Sequence, residues 1–144
     1  MKNRKSIHDD WSTPYSFLDY LMINYFDNYR FFDPCPIDHK FDGLKISWKK
    51  RNFVNPPYDR ELKEAFIIKS FYEALKGKQV VMLLPVSTST NIFHSIILPY
   101  GNIEFLYKRI KFIGINTNGD IVRDKTGQHD SMIVEFNFKQ RGVL

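Results

Sequence analysis

The order of apolar runs predicts an α/β domain of three layers: a mainly parallel sheet between helices, with an antiparallel edge supplied by the C-terminal part of the chain. Three observations predict it. Strand-like apolar runs alternate with helix-period stretches from about residue 13 to residue 101. Val80, Val81, Met82, Leu83 and Leu84 are apolar without interruption, as in a strand covered on both faces. After Gly101 strand-like runs follow one another, and the last alternates through Met132, Val134, Phe136 and Phe138.

In chain order, a first helix is expected with Thr13 as its N-cap and Pro14 at its first helical position. Phe17, Leu18, Leu21 and Tyr25 recur on one of its faces. Residues 29–32 read as a short buried strand ending at Asp33-Pro34-Cys35-Pro36, residues 41–44 as a turn, and 44–48 as another short strand. A strand at 52–54 precedes a helix capped by Asp59, with the face Leu62, Ala65, Phe66, Tyr72 and Leu75, and Gly77 as its stop. The strand at 79–84 ends at Pro85. Ser89 or Thr90 then opens a helix through Ile92, Phe93, Ile96 and Ile97, closed by Pro99 and Gly101. Strands follow at 103–107, 110–113 and 131–138. Residues 116–130, rich in Asn, Gly, Thr and Asp, are either a long hairpin connection or a mobile loop.

Residues 1–144 suit one domain large enough for a real core, with 1–9 as a flexible arm. The net charge of +5 and a sequence pI near 9.3 favour a polyanionic partner. With Cys35 as its single cysteine, the chain has no internal disulfide, which fits a reducing compartment. No apolar run reaches membrane-spanning length, and residues 1–10 do not read as a signal peptide. The expected location is therefore cytoplasmic. His8, His39, His94 and His129 show no metal-like spacing, so no metal is expected.

The stretch that points to chemistry is Asn55-Pro56-Pro57-Tyr58, at the end of the 52–54 strand. Two prolines fix φ and remove two backbone donors, leaving a stiff rim of acceptors, the Asn55 side-chain oxygen and the Pro56 carbonyl, beside the Tyr58 ring. Such a rim suits a planar ring carrying an exocyclic amine, of which a flipped adenine is an example. A plain Pro-rich turn is the alternative reading. In open α/β sheets ligands collect at the carboxyl ends of strands, where Asp33 and Asn55 both fall.

Taken in order, Asp10-Trp11-Ser12-Thr13-Pro14, Asp33-Pro34-Cys35, Asp42-Gly43-Leu44 with Trp48, Asn55-Pro56-Pro57-Tyr58, Leu83-Leu84-Pro85 and Arg109-Ile110-Lys111-Phe112 resemble the phage-type DNA N6-adenine methyltransferases, the phage Dam-like family. The resemblance runs from about Asp10 to Phe138, and its most specific elements are N-P-P-Y and D-P-C. It implies a Rossmann-like methyltransferase fold of reduced size that uses S-adenosylmethionine and acts on adenine N6 in double-stranded DNA, in a bacterial host if phage-encoded. Asn55, Pro56, Pro57 and Tyr58 match the catalytic motif. Asp33 and Pro34 match the acidic motif beside the cofactor's methionine moiety, and Thr13-Pro14 the segment that closes over it. Asp42 is a candidate for the adenosine, while Trp11 reads first as a packing residue, with a place lining the cofactor cleft as the alternative. The loop 33–38 departs from the usual glycine-bearing cofactor loop, its first glycine being Gly43.

Lys49, Lys50 and Arg51, and more weakly Lys108, Arg109 and Lys111, are candidate phosphate contacts; solvated turns are the alternative. Two rival functions remain open at this level: methylation of RNA or of a protein amide, and a methyltransferase-fold nucleic-acid-binding module with weak or no catalysis. A homodimer would supply the recognition surface that so short a chain lacks.

Overall fold

The structure, a computed structural model, describes residues 11–37, 40–115, 121–126 and 129–142, with the backbone alone at 11–12, 111–115 and 121–126. The expected flexible arm at 1–9 lies outside the described residues. The elements run β1 (Trp11–Ser12), α1 (Tyr15–Asn24), β2 (Arg51–Val54), α2 (Arg60–Leu75), β3 (Gln79–Pro85), a π-helical turn (Phe93–Ile97) continuing into α3 (Leu98–Tyr100), β4 (Asn102–Phe105), β5 (Lys111–Ile115), β6 (Ile121–Thr126) and β7 (Ser131–Phe136).

A mixed sheet of order β2-β3-β7-β4 forms the centre. β2 and β3 are parallel, with Val54 opposite Met82, while β7 runs antiparallel to both β3 and β4. A single parallel bridge from Phe32 to Asn52 adds a fifth, minimal position beyond β2. Among the four strands only the β2–β3 ladder is parallel, so the sheet is mixed where a mainly parallel one was expected, and the antiparallel strand is not the edge. β7 is inserted between β3 and β4, and all six of its residues are buried. Met132, Val134 and Phe136 join the core that holds α2 residues and Ile133 the core that holds Leu21 of α1, so both faces of the strand are covered.

The two faces of the sheet carry separate cores. Val80, Met82 and Leu84 join Phe66, Ile67 and Ala74 of α2 on one face, together with Phe93 and Ile97. Val81 and Leu83 join Leu21 of α1, Phe26, Phe53 and Ile133 on the other. The alternation of β3 between these clusters is why it carries no polar residue between Val80 and Leu84. The result is three layers, with α1 and α2 on opposite faces.

Several local expectations are corrected. Helix α1 starts at Tyr15, because Pro14 is extended (φ −67°, ψ 149°) and is itself the N-cap, without a side-chain cap bond. The Pro14 carbonyl accepts from Phe17 N and Leu18 N, which leaves the Thr13 hydroxyl for another partner. In α2 the buried face is Phe66, Ile67, Ser70, Glu73 and Ala74, whereas Tyr72 and Leu75 are exposed. Phe66 is common to the expected and the observed face, but two polar residues share the buried face, so apolar spacing alone locates only part of it. The ends of α2 are as expected: Asp59 accepts from Leu62 N at 3.0 Å, and Gly77 follows with φ +94°.

Residues 44–48 form no strand: a turn at 43–44 and a bend at 45–46 lead into irregular chain, with Lys45 N bonded to the Asp42 carbonyl and Trp48 Nε1 to the Gly43 carbonyl. The 116–130 segment contains β6, which pairs antiparallel with β5, and β1 pairs with β5 on its other side. These three strands make a second, antiparallel sheet that sequence patterning does not reveal.

Candidate active site

Parallel pairing of β2 with β3 brings the chain after Val54 and the chain after Pro85 to one end of the sheet. The antiparallel β7 begins at that end, so His129 and Asp130 lie there too, and Val86 N bonds to the Asp130 carbonyl at 2.9 Å. Asn55 is half-buried and Pro56 buried. Asn55 Nδ2 donates to Thr13 Oγ1 at 3.2 Å, joining two motifs 42 residues apart. The extended Pro14 makes this contact available, since Thr13 is not used to cap α1. With Nδ2 so committed, no donor among the described residues reaches Asn55 Oδ1. Tyr58 is half-exposed, and its ring meets the His129 ring edge-on at 5.8 Å between centroids. Partial burial pushes the Tyr58 hydroxyl above the ordinary tyrosine value.

Asp33 lies one residue past the Phe32 bridge, on the neighbouring parallel segment, and is also half-buried. Its Oδ1 accepts from Cys35 N at 2.8 Å, a side-chain turn that shapes the Asp33-Pro34-Cys35 bend. Asp42 makes the same kind of turn with Leu44 N at 3.0 Å. These two bends are pressed together at Gly43, where a Cβ would sit 1.9 Å from the Pro34 carbonyl oxygen. Gly43, although outside the 33–38 loop, is therefore the residue that permits a close backbone approach there.

Support for this contact reaches back to α2. Trp48 Nε1 donates to the Gly43 carbonyl at 2.8 Å, and Trp48 N donates to Glu73 Oε1 at 3.2 Å. Glu73 is buried among Lys69, Lys76 and Lys78, at 3.1, 3.3 and 2.5 Å. Burial alone would push its carboxyl up, but hydrogen bonds from Lys78, Lys69 and the Trp48 N–H overcome that and hold it at about 2. Sequence reading misses Glu73: lysines at i−4, i+3 and i+5 look like a solvated helix end.

A second carboxylate missed by sequence fastens the far side. Glu104 on β4 accepts from the hydroxyls of Tyr20 on α1 and Tyr25 just beyond it, each at 2.5 Å. Tyr25 is raised well above its ordinary value by burial and by this bond, and Tyr20 is raised chiefly by the bond itself. The only forewarning in the sequence is the aromatic density of residues 15–32.

The basic candidates separate into two groups. Lys49, Lys50 and Arg51 stand at the amino end of β2, a strand length of about 13 Å from Asn55. The Arg51 guanidinium lies 4.1 Å from the Tyr29 ring centroid. Lys108 and Arg109 are exposed beyond the carboxyl end of β4, at the same end of the sheet as Asn55, and Arg109 pairs with Asp130 at 3.1 Å. The side chains of Lys111 and Trp11 lie outside the described residues; the Trp11 backbone pairs opposite Gly114. Among the described residues no group of three or more His, Cys, Asp or Glu is placed to hold a metal, and no helix is long and apolar enough to cross a membrane.

Neither the curated proteins nor the solved structures yield a match. The family model described as DNA N-6-adenine-methyltransferase (Dam) matches residues 1–142, which take in every segment described above. The chain therefore belongs to the DNA N-6-adenine-methyltransferase (Dam) family and is, at that level, a DNA adenine methyltransferase.

Proposed function

We propose that the chain has a Rossmann-like methyltransferase fold and moves a methyl group from S-adenosylmethionine to N6 of an adenine flipped out of double-stranded DNA. The observation that supports this best is the Asn55 amide. One Nδ2 hydrogen is tied to Thr13 Oγ1, and Oδ1, which receives no hydrogen bond from the described residues, is the acceptor available to a ligand. Together with the Pro56 carbonyl it forms a pair of acceptors suited to the two hydrogens of an exocyclic amine. The N6 lone pair is delocalised into the ring, so the free amine is a poor nucleophile. Acceptors that draw its hydrogens out of plane favour the tetrahedral nitrogen that exists only near the transition state. The half-exposed Tyr58 ring is available to stack on the extruded base.

The residues at the end of the neighbouring segment fit the cofactor's chemistry. Asp33 offers a half-buried carboxylate for a cationic group, with Pro34, Thr13, Pro14, Trp11 and Asp42 as the other contributors. When bound, S-adenosylmethionine supplies a methyl already activated by its sulfonium. The protein's own part is then to orient the amine, exclude water and stack the base. Lys108, Arg109 and Lys111 are assigned to phosphates beside the site, whereas Lys49, Lys50 and Arg51 would meet DNA only beyond it.

The test is expression in a methylation-deficient bacterium, with N6-methyladenine mapped across the genome. Asn55→Ala is expected to lose about a hundredfold or more of the methylation rate while retaining the thermal shift given by S-adenosylmethionine. Near-wild-type methylation by that variant would overturn the assignment. A wild-type protein that binds the cofactor and DNA yet leaves no methyladenine would point to the binding-module reading.

A further inference from the structure

We propose that the cleft beyond the carboxyl end of β4 seats the DNA strand immediately beside the target adenine, with Tyr107 as a stacking platform for a neighbouring base. The inference rests on the DNA-adenine reading above and names a contact surface for it. The cleft has a volume of about 490 Å³, in the range of sites that take a nucleotide-sized group. Pro14, Phe17 and Tyr20 of the α1 side form one wall; Tyr107, Lys108 and Arg109 form the other.

Three features favour a nucleic acid strand as the occupant. The first is the Tyr107 ring, 94 % exposed, with the Lys108 ammonium 5.8 Å from its centroid. A ring held in water beside two cations is the combination that tracks a backbone while stacking on bases. The second is anchoring. Leu106 N bonds to the Ser131 carbonyl at 3.0 Å and Ile110 is buried, so both ends of the segment are fixed while its middle three residues are presented outward. The Arg109–Asp130 pair is exposed at both ends, so a phosphate can displace the carboxylate at little cost.

The third feature is continuity with the catalytic loop. Pro14 lines the cleft, and its neighbour Thr13 holds Asn55. The width is set by Glu104, which receives the Tyr20 and Tyr25 hydroxyls and so fixes the α1 wall against β4. A strand lying in the cleft thereby reaches Asn55 across a wall of fixed position.

The experiment measures affinity for duplex DNA by fluorescence anisotropy over a salt series, using full-length protein. Tyr107→Ala is expected to weaken binding about tenfold with its melting temperature unmoved, and Tyr107→Trp to restore it. Lys108→Ala combined with Arg109→Ala is expected to reduce the slope of log affinity against log salt by about two. Wild-type affinity in Tyr107→Ala, or an unchanged slope in the double variant, overturns the proposal. Because anisotropy needs no turnover, these outcomes are read separately from whether the wild-type protein methylates DNA.

Discussion

Replacing Glu73 by glutamine removes a buried negative charge from the middle of three lysines. The side chain is 1 % exposed, and its oxygens lie 3.1 Å from Lys69, 3.3 Å from Lys76 and 2.5 Å from Lys78. Displacement of its carboxyl from 4.5 to about 2 corresponds to about 3 kcal/mol of preference for the ionised form in the folded state. The folded value is depressed, so this contribution is fully present above the unfolded value of 4.5. It is lost as the pH falls from there to about 2. Glutamine still offers an acceptor to Trp48 N but no charge to the lysines. Urea unfolding should therefore show Glu73→Gln about 3 kcal/mol less stable at pH 7, with an unchanged denaturant slope. The gap between variant and wild type should close as the pH is lowered through that window. Other carboxylates titrate in both proteins, so the difference isolates Glu73. A gap that stays constant across the window, or one under about 1 kcal/mol at pH 7, would refute the reasoning, since exposed pairs are worth no more than that.

Three further outcomes test the site. Thr13→Val removes the acceptor for Asn55 Nδ2 and should lower the rate of labelled methyl transfer into DNA about tenfold, with S-adenosylmethionine still shifting the melting temperature. Gly43→Ala places a methyl 1.9 Å from the Pro34 oxygen; it should cost about 1–3 kcal/mol in urea unfolding and abolish that thermal shift by separating the two bends. Asp33→Asn keeps an acceptor for Cys35 N while removing the charge, so the turn should persist and cofactor affinity measured by calorimetry should fall about tenfold.

Much of this arrangement was legible in the residues themselves. The uninterrupted apolar run of β3 predicts a strand covered twice, and it lies between two cores. Asp59 and Gly77 mark the ends of α2 because capping chemistry is local. The placement of β7 was not legible: alternation reports which faces a strand has, not which strands lie beside it. A two-residue β1 leaves no pattern at all. The polar interior of α2 escaped for a similar reason, because Ser70 and Glu73 look solvated until their partners, the Phe66 carbonyl and the lysines around Trp48, are placed in space. Lys49, Lys50 and Arg51 are near Asn55 in sequence but, since β2 runs away from them, at the other end of the sheet.

The link between Thr13 and Asn55 explains why two unremarkable local choices matter together. If Pro14 were the first helical residue, Thr13 would cap α1 and its hydroxyl would be turned to the helix. Because Pro14 is extended, the helix begins one residue later, the Phe17 and Leu18 amides bond to the Pro14 carbonyl, and Thr13 faces Asn55 instead. On the other side, the Asn55 backbone precedes two residues with fixed φ, so the amide cannot follow a moving loop. A side chain with two distinct ends is thus held by its donor end from one element and by its backbone from another. The acceptor end is then positioned before any ligand arrives, which is the condition under which a hydrogen bond stabilises a transition state instead of being spent on reorganisation.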